Sequence, residues 1–368
     1  MDQMLKSVEL FSGCGGLALG LSRSGFEHNL LVEFDENAVA TLVHNKTRKL
    51  DHICDWPIVH DDVRRVDWSD FAGADLVAGG PPCQPFSIGG KAAGSSDKRD
   101  MWPAVFSAIE QVQPRAFVFE NVRGLARPRF SDYLKRIVDH LSKPAVNLVY
   151  GVQVQLVNAA DFGAAQKRNR VLVMGVRGVG AEELPTPMPT HSRERLVWDQ
   201  WISGEYWEEH GISRSLNNVP KADAALVSRL KKSMAKPREL RWVTVRDRLR
   251  GLGPPNEANN HIFQPGAKVY PGHTGSPLDQ PAKALKAGDH GVPGGENMMV
   301  KDDGSVRYFT LRECARLQGF PDDYQFPRSW TESMRQLGNA VPVELAQVVG
   351  EWASGMLLPS SDEFDVAA

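Results

Sequence analysis

The chain has no apolar run approaching the roughly 20 residues a membrane-spanning helix needs. Its opening stretch, MDQMLKSVEL, lacks the pattern of a signal peptide, so a cytoplasmic protein is expected. Cysteine is scarce. Cys14, Cys54, Cys83 and Cys314 lie far apart and form no Cys-x-x-Cys pair, which argues against a disulfide framework and a zinc site. No metal is expected. Net charge is nearly absent, −2 over 368 residues, so the overall balance announces no nucleic-acid partner. The strict Gly-x-Gly-x-x-Gly spacing of dinucleotide-binding turns is missing, which disfavours a nicotinamide oxidoreductase. Internal repeats and low-complexity segments are also missing.

What is present is an ordinary globular composition, 42% hydrophobic and 24% charged, in a chain long enough for two domains. Its most unusual stretch is Gly79-Gly80-Pro81-Pro82-Cys83-Gln84-Pro85-Phe86-Ser87. It follows a short apolar strand, Asp75 to Ala78, and its glycines and prolines forbid regular structure. A cysteine thus sits at a strand end in a stiff loop with few bulky neighbours, a setting that suits a nucleophile meeting a flat substrate. The polar loop Gly89 to Asp100 reads as a flap able to close over a ligand.

Upstream, the strand Ser7 to Phe11 runs into Ser12-Gly13-Cys14-Gly15-Gly16 and a helix from Leu17 to Leu21. Strand, glycine turn and helix open a nucleotide-binding α/β unit, because glycines permit close backbone approach and the helix start offers free N–H groups. A second strand, Leu30 to Phe34, ends in Glu33-Phe34-Asp35. Glu33 is placed to accept from ribose hydroxyls, Phe34 to lie against an adenine face, and Asp35 to cap the helix Asn37 to His44. Asp62, before Val63, is a candidate acceptor for an adenine amino group. Met101 to Val112 reads as a helix. The buried strand Ala116 to Phe119 delivers Glu120-Asn121-Val122 to its carboxyl end, the edge at which open parallel sheets bind ligands. Cys83 and Glu120 therefore point to a shared site.

Further on, Ser131 to Leu141 reads as a helix and Tyr150 to Asn158 as a strand. Gln166-Lys167-Arg168-Asn169-Arg170 leads into the strand Val171 to Val176. Arg168 and Arg170 are two apart, so an extended chain turns them the same way, as a pair of forked donors for a phosphate or a base carbonyl. From Pro185 a proline-rich linker opens a segment with Trp198, Trp201, Tyr206, Trp207 and Trp242. It contains a block from Lys221 to Arg250 with ten Lys/Arg against three acids, and the glycine-rich loop Gly288 to Gly295. The block is read as a candidate track for a phosphate backbone and the loop as a candidate reader of bases. Helices Thr310 to Gln318 and Val343 to Met356 close the chain, the second introduced by Gly338-Asn339-Ala340-Val341-Pro342.

These blocks, with Arg312 to Pro321, occur in the order found in bacterial DNA (cytosine-5)-methyltransferases, which the chain closely resembles over nearly its whole length. The resemblance implies an α/β, Rossmann-like S-adenosylmethionine-dependent methyltransferase domain (1–185 plus 305–368) and a smaller, mainly irregular or β target-recognition domain (186–304). It implies transfer of a methyl group from S-adenosyl-L-methionine, leaving S-adenosyl-L-homocysteine, to C5 of a cytosine flipped out of a specific duplex DNA sequence. Cys83 would add to C6, Glu120 would act as general acid at N3, and Arg170 with Arg168 behind it would hold O2. The cofactor would be held by Phe11, Ser12, Gly13, Cys14, Gly15, Gly16, Leu17, Glu33, Phe34, Asp62, Val63, Gly80, Pro81, Asn339 and Ala340. A monomer acting on DNA in a bacterial cytoplasm is implied, with a cognate restriction endonuclease working independently. Two departures stand out. Glu9 replaces the usual aspartate, and Ala284-Leu285 replaces a Thr-aliphatic pair whose hydroxyl serves a phosphate. The competing readings are a tRNA cytosine-5 methyltransferase sharing the Pro-Pro-Cys-Gln block and a catalytically silent DNA-binding protein. The 119-residue span of 186–304 favours duplex DNA over the first, and the intact Cys83 and Glu120 disfavour the second.

Overall fold

The computed structural model describes residues 4–82, 100–287 and 295–358. Cys83, the flap up to residue 99 and most of the loop 288–295 lie outside the described residues.

A seven-stranded sheet organises the fold. Its strands are β1 (Leu5–Leu10), β2 (Phe26–Glu33), β3 (Ile58–His60), β4 (Leu76–Gly79), β5 (Ala116–Val122), β6 (Tyr150–Asn158) and β8 (Asn169–Arg177), in the order β3-β2-β1-β4-β5-β8-β6. Between β6 and β8 lies the two-residue strand β7 (Gln166–Lys167), which belongs to a separate ribbon. β8 runs antiparallel to both β5 and β6, and the other pairings are parallel. The order reverses between β1 and β4, so a crevice opens beyond their carboxyl ends. The glycine turn after β1 and the Pro-Pro loop after β4 both emerge there.

The sequence pattern explains the layers. Along β1, Val8 and Leu10 face a core shared with α3 (Trp102–Val112) and α4 (Ser131–Ser142). Leu5 faces the other way, toward α1 (Gly16–Arg23) and α11 (Val343–Leu357). Gly20 lets α1 and α11 touch, since a Cβ there would lie 2.3 Å from that of Ala346. β2 begins at Phe26, four residues before the expected Leu30, because Gly25 at φ +90° turns the chain straight out of α1. Asp35 caps α2 (Glu36–Thr47), accepting from the N–H groups of Asn37 and Ala38. The last helices are α9 (Leu311–Leu317), α10 (Trp330–Asn339) and α11.

Segment 186–304 is helical in its first half. α5 (Arg193–Trp201), α6 (Glu205–Glu209) and α7 (Lys221–Ser233) enclose a core of Leu196, Trp201, Tyr206, Trp207, Val227, Leu230 and Trp242. Strands β9 (His191–Ser192) and β10 (Leu240–Arg241) pair beside it, followed by α8 (Val245–Leu249). Among the described residues the second half matches the irregular or β expectation, with the short strands β11 (Ser276–Pro277), β12 (Ala282–Lys283) and β13 (Met298–Val300) before β14 (Val306–Tyr308). Val245, Ala282 and Leu285 pack into one core with Leu19, Leu317 and Leu337. No helix among the described residues is long and apolar enough to cross a membrane.

Candidate active site

At the end of β1 the backbone turns through two left-handed glycines, Gly13 at φ +54° and Gly15 at φ +85°. Phe11 takes φ +59°, a conformation that costs a non-glycine residue free energy. The turn is pinned from three sides. The Ser12 N–H donates to the Val32 carbonyl at 3.0 Å, the Gly15 N–H to the Ser12 carbonyl at 2.9 Å, and the Gly13 N–H to Glu33 Oε2 at 2.7 Å. Glu33 also accepts from the N–H groups of Phe34 and Asp35 at 2.9 and 2.7 Å. Burial nevertheless raises its carboxyl above the ordinary range. The result is a concave cradle with an acid on its wall and Phe34, 68% exposed, projecting beside it.

Leu17 is buried, and Gly16 lies so close to the Val341 carbonyl that a Cβ would stand 2.3 Å from it, which brings Asn339-Ala340 to the cradle's floor. Asn339 is exposed and Ala340 buried. Cys14 is buried, its carbonyl accepting from the Tyr324 hydroxyl at 2.6 Å. Burial pushes its thiol up to about 12, so it is inert at neutral pH. Asp62 is paired with Arg64, whose hydrogen bonds hold its carboxyl down at about 2. An adenine amino group would have to share that carboxylate with Arg64. Val63 beside it is buried.

Below the cradle sits Glu9, fully buried on β1, with neither carboxylate oxygen hydrogen-bonded among the described residues. Burial, and then the charge of Glu33, push its carboxyl well above the ordinary range. An acid whose folded-state pKa is raised costs stability as pH rises above its unfolded value. Glu9→Gln should therefore match the parent near pH 4 and be progressively more stable toward pH 8. Each unit of displacement is worth about 1.4 kcal/mol. Calorimetry without cofactor checks this, and a difference that stays constant with pH would contradict the assignment.

The second half of the site is built by β4, β5 and β8. Glu120 on β5 forms an ion pair with Arg170 on β8, and both side chains are almost enclosed. The antiparallel register sets Val122 opposite Arg170, which brings the guanidinium diagonally back to Glu120. Gly80 passes against this acid, since a Cβ there would lie 3.7 Å from Glu120 Oε2. Asn121 Nδ2 donates to the Pro81 carbonyl at 3.1 Å. The loop is thus fastened beside Glu120 two residues before Cys83.

Arg168 does not continue the strand. It lies in the break between β7 and β8, is 1% exposed, and donates to the carbonyls of Leu285 at 3.2 Å and Gly338 at 2.8 Å. The two guanidinium groups have different partners. Arg168 ties the segment after β12 to α10, while the ion pair with Glu120 is made by Arg170.

Several residues that position the site lie within the matching blocks, but the sequence assigned them no role. Gln166 and Gln318 form a buried pair, Gln166 Nε2 donating to Gln318 Oε1 at 2.7 Å and to the Leu317 carbonyl at 3.1 Å. Gln318 Nε2 in turn donates to the Leu337 carbonyl, which links β7 to the segment under the cradle. Buried Arg312 donates to the carbonyls of Asn259, Pro321 and Tyr324. Polar side chains of this kind are recognisable only once the backbone groups they satisfy are known.

The basic block 221–250 is largely neutralised. Arg229, Lys236, Arg241, Arg246, Arg248 and Arg250 pair with Glu194, Glu205, Glu209, Asp279, Glu344 and Glu209 respectively. Its surplus of positive charge is local in sequence and not in space, so most of it is not free to follow a phosphate backbone. Glu209, His210 and Asp247 lie close enough together to hold a cation, but Arg241 and Arg250 already engage both carboxylates.

A mixed sheet with one antiparallel strand near its edge, a glycine cradle after β1 and an acid–arginine pair beyond β5 define the architecture of a methyltransferase acting on a planar substrate. Residues 5–354 match the family model for C-5 cytosine-specific DNA methylases. The chain is 32% identical over 356 residues to the type II methyltransferase M.NgoMIV of Neisseria gonorrhoeae, covering 94% of this chain and 95% of that protein. It is 29% identical to M.FnuDI of Fusobacterium nucleatum over 94% and 93% of the two chains. Among solved structures, a DNA modification methyltransferase from an Escherichia coli prophage superposes with a TM-score of 0.60 at 22% identity, covering 96% of this chain and 99% of that one. The methyltransferase EhMeth of Entamoeba histolytica gives 0.61 at 14% identity, covering 97% and 100%. The chain belongs to the C-5 cytosine-specific DNA methylase family. It is an S-adenosylmethionine-dependent enzyme that methylates C5 of cytosine in DNA.

Proposed function

We propose that Cys83, Glu120 and Arg170 form one catalytic centre, which methylates a cytosine flipped out of a specific duplex sequence through a covalent Cys83–C6 adduct. The observation that carries this reading is the fastening of Gly80-Pro81 beside the Glu120–Arg170 pair, two residues before Cys83.

The chemistry asks three things of these residues. Cytosine C5 is too weak a nucleophile to attack a methyl sulfonium unaided. The Cys83 thiolate adds to C6, and electron density moves toward C5 and N3. Glu120 holds the proton that N3 gains as the C6–S bond forms. Arg170 and N3 compete for the same carboxylate, so the arriving base displaces Arg170 from Glu120 and leaves its guanidinium free for O2. After methylation the C5 proton leaves to a base such as water. The C6–S bond then breaks, the thiolate is released, and N3 returns its proton.

The cofactor's chemical demands fit the cradle: backbone N–H groups after β1, an acid for ribose hydroxyls at Glu33, an exposed ring at Phe34 for adenine, and Gly80 allowing approach from β4. Bound S-adenosylmethionine supplies the electrophilic methyl group. In this reading Phe11 to Leu17, Glu33, Phe34, Asp62, Val63, Gly80, Pro81, Asn339 and Ala340 hold it. Residues 1–185 with 305–368 are the catalytic domain, and 186–304 is the target-recognition domain. The separate aromatic core around Trp201 and Trp207 supports that division for the helical half of the insert. The enzyme works as a monomer, in the cytoplasm, with an independent cognate endonuclease.

The test supplies labelled S-adenosylmethionine with duplex DNA and with tRNA in parallel. Label is expected in duplex DNA, with bisulfite sequencing placing it at one recurring sequence. Transfer to tRNA alone would contradict the reading.

A further inference from the structure

Glu9 is a fully buried acid with no task in the methyl transfer. Val8 and Leu10 on β1 turn to the core shared with α3 and α4, so Glu9 between them turns to the opposite side of the sheet. Its partners in the sheet are apolar, Leu31 on β2 and Ala78 on β4. α1 and α11 add Leu17, Leu21, Leu345 and Val349 to that side. The polar groups nearby are occupied or neutral. His28 on β2 is held by Ser7 Oγ at 2.8 Å and the Ala18 carbonyl at 3.0 Å. Cys14 in the glycine turn and Tyr324 against it keep their protons at neutral pH, and Glu344 on α11 is answered by Arg248.

Two acids thus share this end of the sheet on unequal terms. Glu33 accepts three backbone N–H groups, which favour its charge. Neither Glu9 oxygen has a hydrogen-bond partner among the described residues, and the charge acting on it is that of Glu33, of the same sign. Glu9 is also tied into the cradle, its carbonyl accepting from the Ser12 hydroxyl at 3.4 Å. A buried carboxyl so placed keeps its proton until a positive charge arrives. S-adenosylmethionine carries a sulfonium, an ammonium and a carboxylate, one net positive charge. S-adenosylhomocysteine has a neutral thioether in place of the sulfonium and no net charge.

We propose that Glu9 separates the cofactor from its spent product by a proton: S-adenosylmethionine binds with loss of the Glu9 proton to solvent, and S-adenosylhomocysteine binds with that proton in place. A sulfonium in the cradle lowers the raised Glu9 pKa toward the ordinary range. Between the two values binding expels a proton, so affinity for S-adenosylmethionine rises with pH. The product lacks this charge, and Glu9 leaves its affinity unmoved. Ribose, ammonium and carboxylate are common to both ligands and cancel in the ratio of their affinities. That ratio therefore turns toward the cofactor as pH rises, and inhibition by the product weakens. This inference rests on the cofactor reading of the cradle and is independent of the nucleic acid methylated.

The experiment is titration calorimetry of the DNA-free protein with each ligand, from about pH 6 to about pH 8.5, in buffers of different ionisation enthalpy, which counts the protons released. The parent should release a larger fraction of a proton with S-adenosylmethionine than with S-adenosylhomocysteine. Its affinity ratio should rise severalfold across the range, about tenfold per pH unit being the limit for release of a whole proton. Glu9→Gln carries no proton to lose, so its ratio should stay constant with pH. Equal proton counts for the two ligands in the parent would overturn the proposal without recourse to a variant. So would a Glu9→Gln ratio that rises as the parent's does, since Glu33 would then carry the linkage. A parent protein that binds neither ligand would instead overturn the cofactor reading itself.

Discussion

A Cys83→Ala enzyme is expected to bind S-adenosylmethionine and duplex DNA and to transfer no methyl group. Alanine removes the atom that adds to C6 and leaves the rest of the loop chemistry unchanged. Without that addition C5 keeps its aromatic character and has no electron pair to offer. A free thiol is only a few per cent ionised at neutral pH, and a guanidinium nearby would favour the thiolate. Arg170 is the cation at the strand ends where Gly80 and Pro81 are fastened. The other thiols offer no substitute. Burial pushes up those of Cys14 and Cys314, and the exposed Cys54 thiol is engaged by the Asp55 carboxylate. Single-turnover transfer to duplex DNA is the measurement. Detectable methylation by Cys83→Ala would remove this residue from the chemistry.

Glu120→Gln is expected to lower single-turnover methylation by about 10²–10⁴-fold, the usual worth of a positioned general acid. Glutamine keeps the size of the side chain and an acceptor for Arg170, but it cannot carry the proton to N3. Cofactor affinity should stay near that of the parent, because the Glu120 carboxylate pairs with Arg170 and is not among the groups assigned to the cofactor. A rate within threefold of the parent would show that N3 is protonated by another group.

The sheet and both halves of the site were legible because their signals are local. Glycines at positions 13 and 15 must accept left-handed backbone, Asp35 must cap the helix it precedes, and Glu120 follows an unbroken apolar strand. What was not legible depends on partners distant in the chain. Arg168 looked like a companion to Arg170, but its guanidinium donates to the carbonyls of Leu285 and Gly338, far along the chain. The basic block looked like a phosphate track because the acids that pair with most of its arginines, among them Glu194, Glu209, Asp279 and Glu344, lie elsewhere in sequence. β7 and β12 are two residues long, too short for any period to register. The helices of the insert's first half were hard to read because α5 and α6 are short and the longer α7 buries only Asp223, Val227 and Leu230.

The central claim, addition of Cys83 to cytosine C6, is tested most directly with duplex DNA carrying 5-fluorocytosine at the target base. Fluorine cannot leave C5 as a proton does, so elimination of the thiol should stall after methyl transfer. Mass spectrometry of the digested complex should then find the nucleotide, carrying both the methyl group and fluorine, attached to the peptide that contains Cys83. An enzyme that methylates ordinary duplex DNA but gives no such adduct, or gives one on another residue, would contradict the account.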